Sequence, residues 1–349
     1  ARNLDFKLRI LAGNQPHILE CIEVASLESV AARLHAAGGR SVGLVSNDIV
    51  AELLAEVISK TTEALPGSSR FVLNEWLYVV DAWRLEDWPS YKQFKRLGRK
   101  TLLSEEKRAV LWSIFEELHR RLNEQDRVTL PAAFHQLALE FEVRENKPYD
   151  YVVVDEAQDI SPMQLRFVGA LAAGGINNLF FAGDLGQRIF QTPFSWASLG
   201  VQIRGRSHSL RVNYRTSHQI RSQADRLLDQ KVSDVDGNIE DRFGTVSVFN
   251  GARPSIVVFD DETAEQNGVA DWIRGVIEDG VSPGEIGVFV RTEDEVLRAK
   301  EAVTAAGLDF NVLDAKSELI QSHVTISTMH LAKGLEFRVV VVMACDDEV

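Results

Sequence analysis

The sequence predicts an α/β protein of two domains with mainly parallel sheets, the first domain interrupted by a helical insertion. Three observations carry this. After residue 150, short apolar runs alternate with segments of helical spacing, the pattern of strand–helix units and parallel sheets. The alternation occurs twice, on either side of an Asp-, Gly- and Asn-rich stretch at 229–254 that reads as a linker. Between residues 47 and 141 helical spacing dominates instead.

Each element has its own signal. The first 45 residues read as helix, strand (Ile22–Ser26), helix (Leu27–Ala37) and strand (Ser41–Val45). In the insertion, Leu53, Leu54, Val57 and Ile58 recur at helical spacing, as do Val110, Leu111, Ile114, Phe115 and Leu118. Ser104 before Glu105 and Glu106 marks a helix start. Tyr151–Val154 is an all-apolar run, as expected of a strand buried on both faces. Ser161-Pro162-Met163-Gln164 opens a helix with a cap, a proline at the first position and a capping-box Gln. Asn178–Ala182 and Leu210–Val212 read as strands, and Thr216 with Gln219 as a second capping box. Beyond the linker come strand Ile256–Phe259, helix Ala264–Glu278, strand Ile286–Val290, helix Asp294–Ala305 and strands Val324–Ser327 and Val339–Met343. Thr292 and Glu295 read as a third capping box. The boundaries that follow are 1–46 and 142–228 for the first domain, 47–141 for the insertion and 229–349 for the second domain.

Composition narrows the class. At 349 residues, 45% hydrophobic and 26% charged, the chain is of ordinary globular make-up. It has no apolar run near the ~20 residues of a membrane span and no signal-peptide pattern at its start. Cys21 and Cys345 lie far apart, in no metal-ligand spacing, which fits buried thiols in a reducing, cytoplasmic setting. The net charge of −13 argues against a phosphate-rich partner, since such partners are held by Lys and Arg. Local charge runs the other way. Residues 203–221 carry five arginines, two histidines and no acid, and 92–100 are also basic. Such stretches are either a nucleic-acid groove or solvated faces.

Two segments carry chemistry. In Tyr151-Val-Val-Val-Asp155-Glu156-Ala157-Gln158-Asp159 a strand ends in two acids. Ligands of parallel sheets sit beyond the carboxyl ends of strands, where one acid can hold Mg²⁺ and the other take a proton from water. The bland alternative is an exposed strand end. In Phe180-Phe181-Ala182-Gly183-Asp184-Leu185-Gly186-Gln187-Arg188-Ile189-Phe190, glycines allow close backbone approach and Gln187 suits contact with a terminal phosphate. The alternative is a glycine turn with an exposed Gln.

In this order and separation, DEAQD and GDLGQRIF resemble the motifs of superfamily 1 helicases of the UvrD/Rep/PcrA type. Leu210-Arg211-Val212-Asn213-Tyr214-Arg215-Thr216 is similar to the family's N-Y-R motif. Thr328-Met329-His330-Leu331-Ala332-Lys333-Gly334-Leu335-Glu336-Phe337 is similar to its T-x-H-x-x-K-G-L-E-F motif. Glu23–Leu27 is a weaker match to a strand-end DNA contact. The resemblance implies two RecA-like motor domains, both incomplete here, and an ATP-dependent helicase or translocase running 3′→5′ on single-stranded DNA, with ATP and Mg²⁺ as ligands. The residues themselves do not separate DNA from RNA.

It also implies roles. Asp155 coordinates Mg²⁺, Glu156 activates water and Gln187 contacts the γ-phosphate. Tyr214 stacks on adenine and Arg215 acts as an arginine finger. Glu336 bonds the ribose, with Lys333 and Gly334 near the phosphates. Trp196, with Phe194 beside it, is placed to stack on a nucleobase, although Gln191-Thr192-Pro193 lengthens the connection before it. Asn213, Thr328 and His330 are candidate strand contacts. Other roles stay open for several of these: Tyr214 or Trp196 in the core, Arg215 paired with an acid, Lys333 solvated, His330 supporting its neighbours.

No stretch fits the phosphate-binding pattern G-x-x-x-x-G-K-[ST]. The 349 residues alone are therefore expected to lack ATPase activity, as a truncated piece of a working helicase. The competing reading is a non-catalytic nucleic-acid-binding or scaffold module.

Overall fold

A computed structural model describes residues 2–13, 15–39, 43–96, 101–175, 177–184, 187, 194–227, 231–237, 239–241, 244–313 and 320–346. The chain forms two compact units, Ala1–Ala252 and Arg253–Val349. Leu185, Gly186, Arg188–Phe190 and Gln191–Pro193 of the sequence motifs lie outside the described residues. No described helix is long and apolar enough to cross a membrane.

The first unit opens with α1 (Arg2–Ala12), α2 (Pro16–Glu20) and α3 (Leu27–Ala37). Ser26 caps α3, its hydroxyl accepting the Ser29 N–H at 3.1 Å. The expected strand Ile22–Ser26 does not form. Its chemistry is spent on side chains instead, with Glu23 bound by Arg33 and by the Tyr149 hydroxyl.

β1 (Gly43–Val45) leads into α4 (Asn47–Lys60), α5 (Ser69–Glu75), a π-helical turn at Trp76–Val80, α6 (Trp88–Gln93) and α7 (Glu105–Glu124). β2 (Arg127–Thr129) then leads into α8 (Leu130–Val143). β1 and β2 pair in parallel. α4 buries Val50, Leu53, Leu54 and Val57, a helical stripe that faces the core. Trp76, Tyr91 and Phe115 fill the centre of that core. The basic stretch at 92–100 is not an open patch where it is described. Arg96 donates to both carboxylate oxygens of Glu75 at 2.7 and 2.6 Å, and the two side chains are only 5% and 0% exposed. Lys92 pairs with Glu105.

β3 (Val152–Val154), α9 (Pro162–Leu171) and β4 (Leu179–Phe181) follow, with β3 and β4 parallel. Ser161 and Gln164 form the expected capping box at the start of α9. α3, α8 and α9 share a core of Val30, Phe134, Leu137, Phe141, Met163 and Phe167. The expectation that this strand is buried on both faces fails: Val154 is buried but Val153 is 71% exposed. Alternate strand residues face opposite ways, and the packing described covers one face.

β5 (Val212–Asn213) precedes α10 (His218–Ala224), then β6 (Lys231–Ser233), β7 (Ile239–Asp241) and β8 (Val246–Ser247). β5 pairs with β8 in parallel, while β6 and β7 form an antiparallel hairpin. The stretch read as a linker is thus partly folded onto this unit. The second capping box does not form, and the helix starts one residue later than expected. Ser217, not Thr216, caps α10, because Asn213 Oδ1 already accepts the N–H groups of Arg215 and Thr216. The Gln219 side chain instead accepts the Gly251 N–H and donates to Asn250.

The second unit contains α11 (Glu262–Glu278), β9 (Ile286–Val290), α12 (Val296–Ala305), β10 (Phe310–Val312), β11 (Val324–Thr328) and β12 (Val339–Val342). The four strands form one parallel sheet in the order β10-β11-β9-β12. β9 and β11 are buried along their whole length, as central parallel strands are. Ile256–Phe259 forms no strand, and Ile256, Val257 and Val258 are exposed. Glu295 precedes α12 without a side-chain cap bond, so the third capping box is absent too. Both cysteines are exposed, against expectation. The protein is therefore a mixed α/β fold with short parallel sheets.

Candidate active site

The site in the first unit starts at the carboxyl end of β3. Asp155 and Glu156 are exposed there, at the place where a parallel pair of strands presents ligand-binding groups. Glu156 has φ 54° and ψ 37°. This left-handed conformation costs a non-glycine residue about 1–2 kcal/mol, and such strain gathers at functional sites. The Glu156 N–H bonds Asp155 Oδ1 at 2.9 Å, so the turn sets both carboxylates at once.

Gln158 ties this turn to β4. It is buried, donates from Nε2 to Glu156 Oε2 at 2.5 Å, and accepts the Asp184 N–H on Oε1 at 3.0 Å. Both ends of its amide are used, which fixes its orientation. Backbone bonds from Ala157 N–H to the Ala182 carbonyl and from Ala182 N–H to the Val154 carbonyl, each 2.8 Å, lace the strand ends together. Gly183 makes this approach possible. A Cβ at that position would sit inside 3.0 Å of Gln158 Oε1, and 3.1 Å from the backbone nitrogens of Ala157 and Gln158. Gln187 donates to Asp184 Oδ2 at 2.8 Å. One hydrogen-bonded chain therefore joins Asp155, Glu156, Gln158, Asp184 and Gln187. The close approach expected at Gly183 is met, by the Gln158 turn, whereas the roles of Gln158 and Asp184 were missed in the sequence, where each appeared only as a letter inside a motif.

The donor set is oxygen-rich, as a hard divalent cation requires. Mg²⁺ typically takes one or two protein carboxylates and completes its shell with water and phosphate. An exposed Asp155 fits that demand. No cluster of three or more His, Cys, Asp or Glu side chains suited to an all-protein metal site occurs among the described residues.

Trp196 packs against β4. Its ring meets Phe181, the last residue of that strand, edge-on at 4.8 Å and 71°, and it is only partly buried. Phe194 is buried and packs against Trp83 at 5.7 Å. Asn213 ends β5, a strand of a separate sheet, and Tyr214 and Arg215 occupy the turn that follows it. Asn213 spends its amide on that turn, donating to Thr216 Oγ1 at 2.6 Å as well as accepting from the backbone. Tyr214 is 75% exposed and Arg215 is exposed.

Thr328, His330, Lys333, Gly334 and Glu336 belong to the second unit, at the carboxyl end of β11. Thr328 is buried, with Oγ1 3.5 Å from His330 Nε2. The Met329 N–H bonds the Val290 carbonyl of β9, and turns follow in which the Leu331 and Leu335 N–H groups bond the Thr328 and Ala332 carbonyls. Gly334 takes φ +79°, where a side chain would be strained. His330 and Glu336 are exposed and Lys333 is half-buried.

The fold and these strand ends define an α/β protein with a carboxylate- and amide-lined site at the carboxyl edge of parallel strands. Residues 47–196 match the model of the UvrD/REP helicase N-terminal domain. The chain is 29% identical over 169 residues to the ATP-dependent DNA helicase UvrD2 of Mycobacterium bovis, covering 47% of this chain and 24% of that protein. It is 22% identical over 235 residues to the exonuclease/helicase protein RexA of Lactococcus lactis subsp. cremoris, covering 56% and 19%. It is 28% identical over 149 residues to the putative ATP-dependent DNA helicase YjcD of Bacillus subtilis, covering 41% and 19%. The matched part thus spans about a fifth to a quarter of the length of these relatives. With the motifs above, these matches show what the chain is similar to: the UvrD-like superfamily 1 helicases.

Proposed function

We propose that the protein is an ATP-dependent DNA helicase or translocase that moves 3′→5′ on single-stranded DNA. The observation that carries this is the bonded chain from Glu156 through Gln158 and Asp184 to Gln187, built at the end of the strand that also packs against Trp196. In this reading Asp155 holds Mg²⁺, which when bound supplies charge neutralisation on the phosphates. Glu156 takes the proton of the attacking water, and Gln187 contacts the γ-phosphate. Tyr214 stacks on adenine. Arg215 meets the charge that grows on the transferring phosphoryl group. Lys333, Gly334 and Glu336 are further nucleotide contacts. Trp196 stacks on a base, with Asn213, Thr328 and His330 as further strand contacts.

The test is Glu156→Gln in the protein encoded by the complete reading frame. It should bind ATP normally and hydrolyse it more slowly by roughly two to four orders of magnitude, the loss expected for a general base. Hydrolysis at the parent rate would refute the assignment. One observation favours a second reading, a non-catalytic nucleic-acid-binding or scaffold module. The 349 residues contain no G-x-x-x-x-G-K-[ST], whose backbone amides and lysine would cradle the phosphates. We expect this 349-residue chain to show no DNA-stimulated ATPase. A phosphate-binding loop in the complete reading frame decides for the motor, and its absence for the module.

A further inference from the structure

The segment that carries Trp196 is held by a residue distant in sequence. Asp236 lies in the turn between β6 and β7, forty residues after Trp196. Its Oδ1 accepts the Ser195 hydroxyl at 2.5 Å. Its Oδ2 accepts the Trp196 N–H at 2.6 Å and the Ala197 N–H at 3.1 Å. These N–H groups stand at the start of the 3₁₀ turn Ala197–Leu199, where the first donors of a helical turn have no partner within it. A carboxylate is a strong acceptor for them. Ser195 completes the arrangement, its Oγ accepting the Ser198 N–H at 3.1 Å.

Trp196 is thereby fixed at both ends. Its backbone nitrogen is clasped by Asp236, and its indole meets Phe181 edge-on. An indole that stacks on a base must already stand in the right plane, because ordering it on contact would subtract from the affinity. We propose that Asp236 is a positioning residue for nucleic-acid binding, and that the β6–β7 hairpin belongs to the single-strand interface through it. This rests on the reading of Trp196 as the base-stacking residue.

The experiment uses the protein from the complete reading frame and a fluorescent oligothymidylate, with affinity read by anisotropy and folding by thermal melting. The variants are Trp196→Ala, Asp236→Ala, Asp236→Asn and the double variant Trp196→Ala/Asp236→Ala. Trp196→Ala should weaken binding about 5- to 150-fold, the equivalent of one lost stack. Asp236→Ala should weaken it by at least about 3-fold. Asp236→Asn, which keeps one accepting oxygen, should recover part of that loss. The double variant should bind no worse than Trp196→Ala alone, since a residue acting through Trp196 has nothing left to position. A purely structural Asp236 would lower the melting temperature and leave affinity intact, or add its loss to that of Trp196→Ala, and either result overturns the proposal. If Asp236→Ala does not fold, the same comparison is made with Asp236→Asn, whose own loss should vanish on the Trp196→Ala background. If Trp196→Ala itself binds like the parent, the stacking role falls and the proposal with it. If only the Asp236 variants bind like the parent, the stacking role stands and the proposal alone falls.

Discussion

Adding one methyl group at Gly183 should break the link between the two strand ends. In Gly183→Ala the new Cβ meets the backbone nitrogens of Ala157 and Gln158 at 3.1 Å, where ordinary contact begins at 3.4 Å, so backbone must yield by 0.3 Å. The Gln158 amide oxygen is closer still and must leave its place. Two bonds then weaken together: Asp184 N–H to Gln158 Oε1, and Gln158 Nε2 to the Glu156 carboxylate. Overpacking of a tight site costs about 1–3 kcal/mol. Loss of a hydrogen bond to a charged group is of similar size, about 1.5–3 kcal/mol. The two are one event here, so the expected destabilisation is about 2–3 kcal/mol, not their sum. The assay is denaturant unfolding of the first unit within the intact chain, together with hydrogen exchange at the Asp184 amide. That amide should lose protection while the amides of β9 and β11 keep theirs. An unchanged unfolding midpoint with unchanged Asp184 protection would refute the close packing at Gly183.

Arg96→Met should destabilise the helical block by about 3–5 kcal/mol, because it leaves the fully buried Glu75 carboxylate without its ion partner; chemical denaturation measures this, and a near-neutral result would mean that Glu75 reaches water. Stability should fall on acidification from about pH 6.5 to about pH 4. His119 is held neutral by burial, and further by Arg84, with its pKa lowered to about 4, so in this window the unfolded chain binds a proton that the folded chain refuses. Asp81 acts with the opposite sign, since burial raises its pKa although Arg84 and Thr129 oppose the shift. His119→Phe isolates the histidine, and an unaltered pH dependence of unfolding in that variant would sink the assignment.

What the sequence made legible was mostly local. α3 was bounded to the residue, and the Ser161–Gln164 capping box was readable because every partner lies within one turn. Non-local partners were invisible. Ile22–Ser26 and Ile256–Phe259 carry the apolar character of strands, but a run of side chains does not reveal whether a neighbouring edge exists to bond its backbone. The hairpin of β6 and β7 hid in a polar stretch because its turn residues, Asp234 to Gly237, are also what a linker contains. Arg96 read as part of a basic stretch, either a nucleic-acid groove or a solvated face, since Glu75, its partner, is 21 residues away. At the site, motif spacing singled out Asp155, Glu156 and Gln187. Gln158 and Asp236 escaped because their partners lie 26 and 40 residues distant.

With Glu156 in its proposed role as the base, its left-handed backbone sets activity against durability. At φ 54° a glycine or asparagine would sit with less strain, so the residue best suited to the turn is not the one that can accept a proton. Glu156→Asn would relax the backbone and remove the long carboxylate in one step. A selection for heat resistance alone, blind to turnover, would therefore drift toward replacing this glutamate. Libraries built to harden the protein should hold position 156 fixed or be screened for activity at every round.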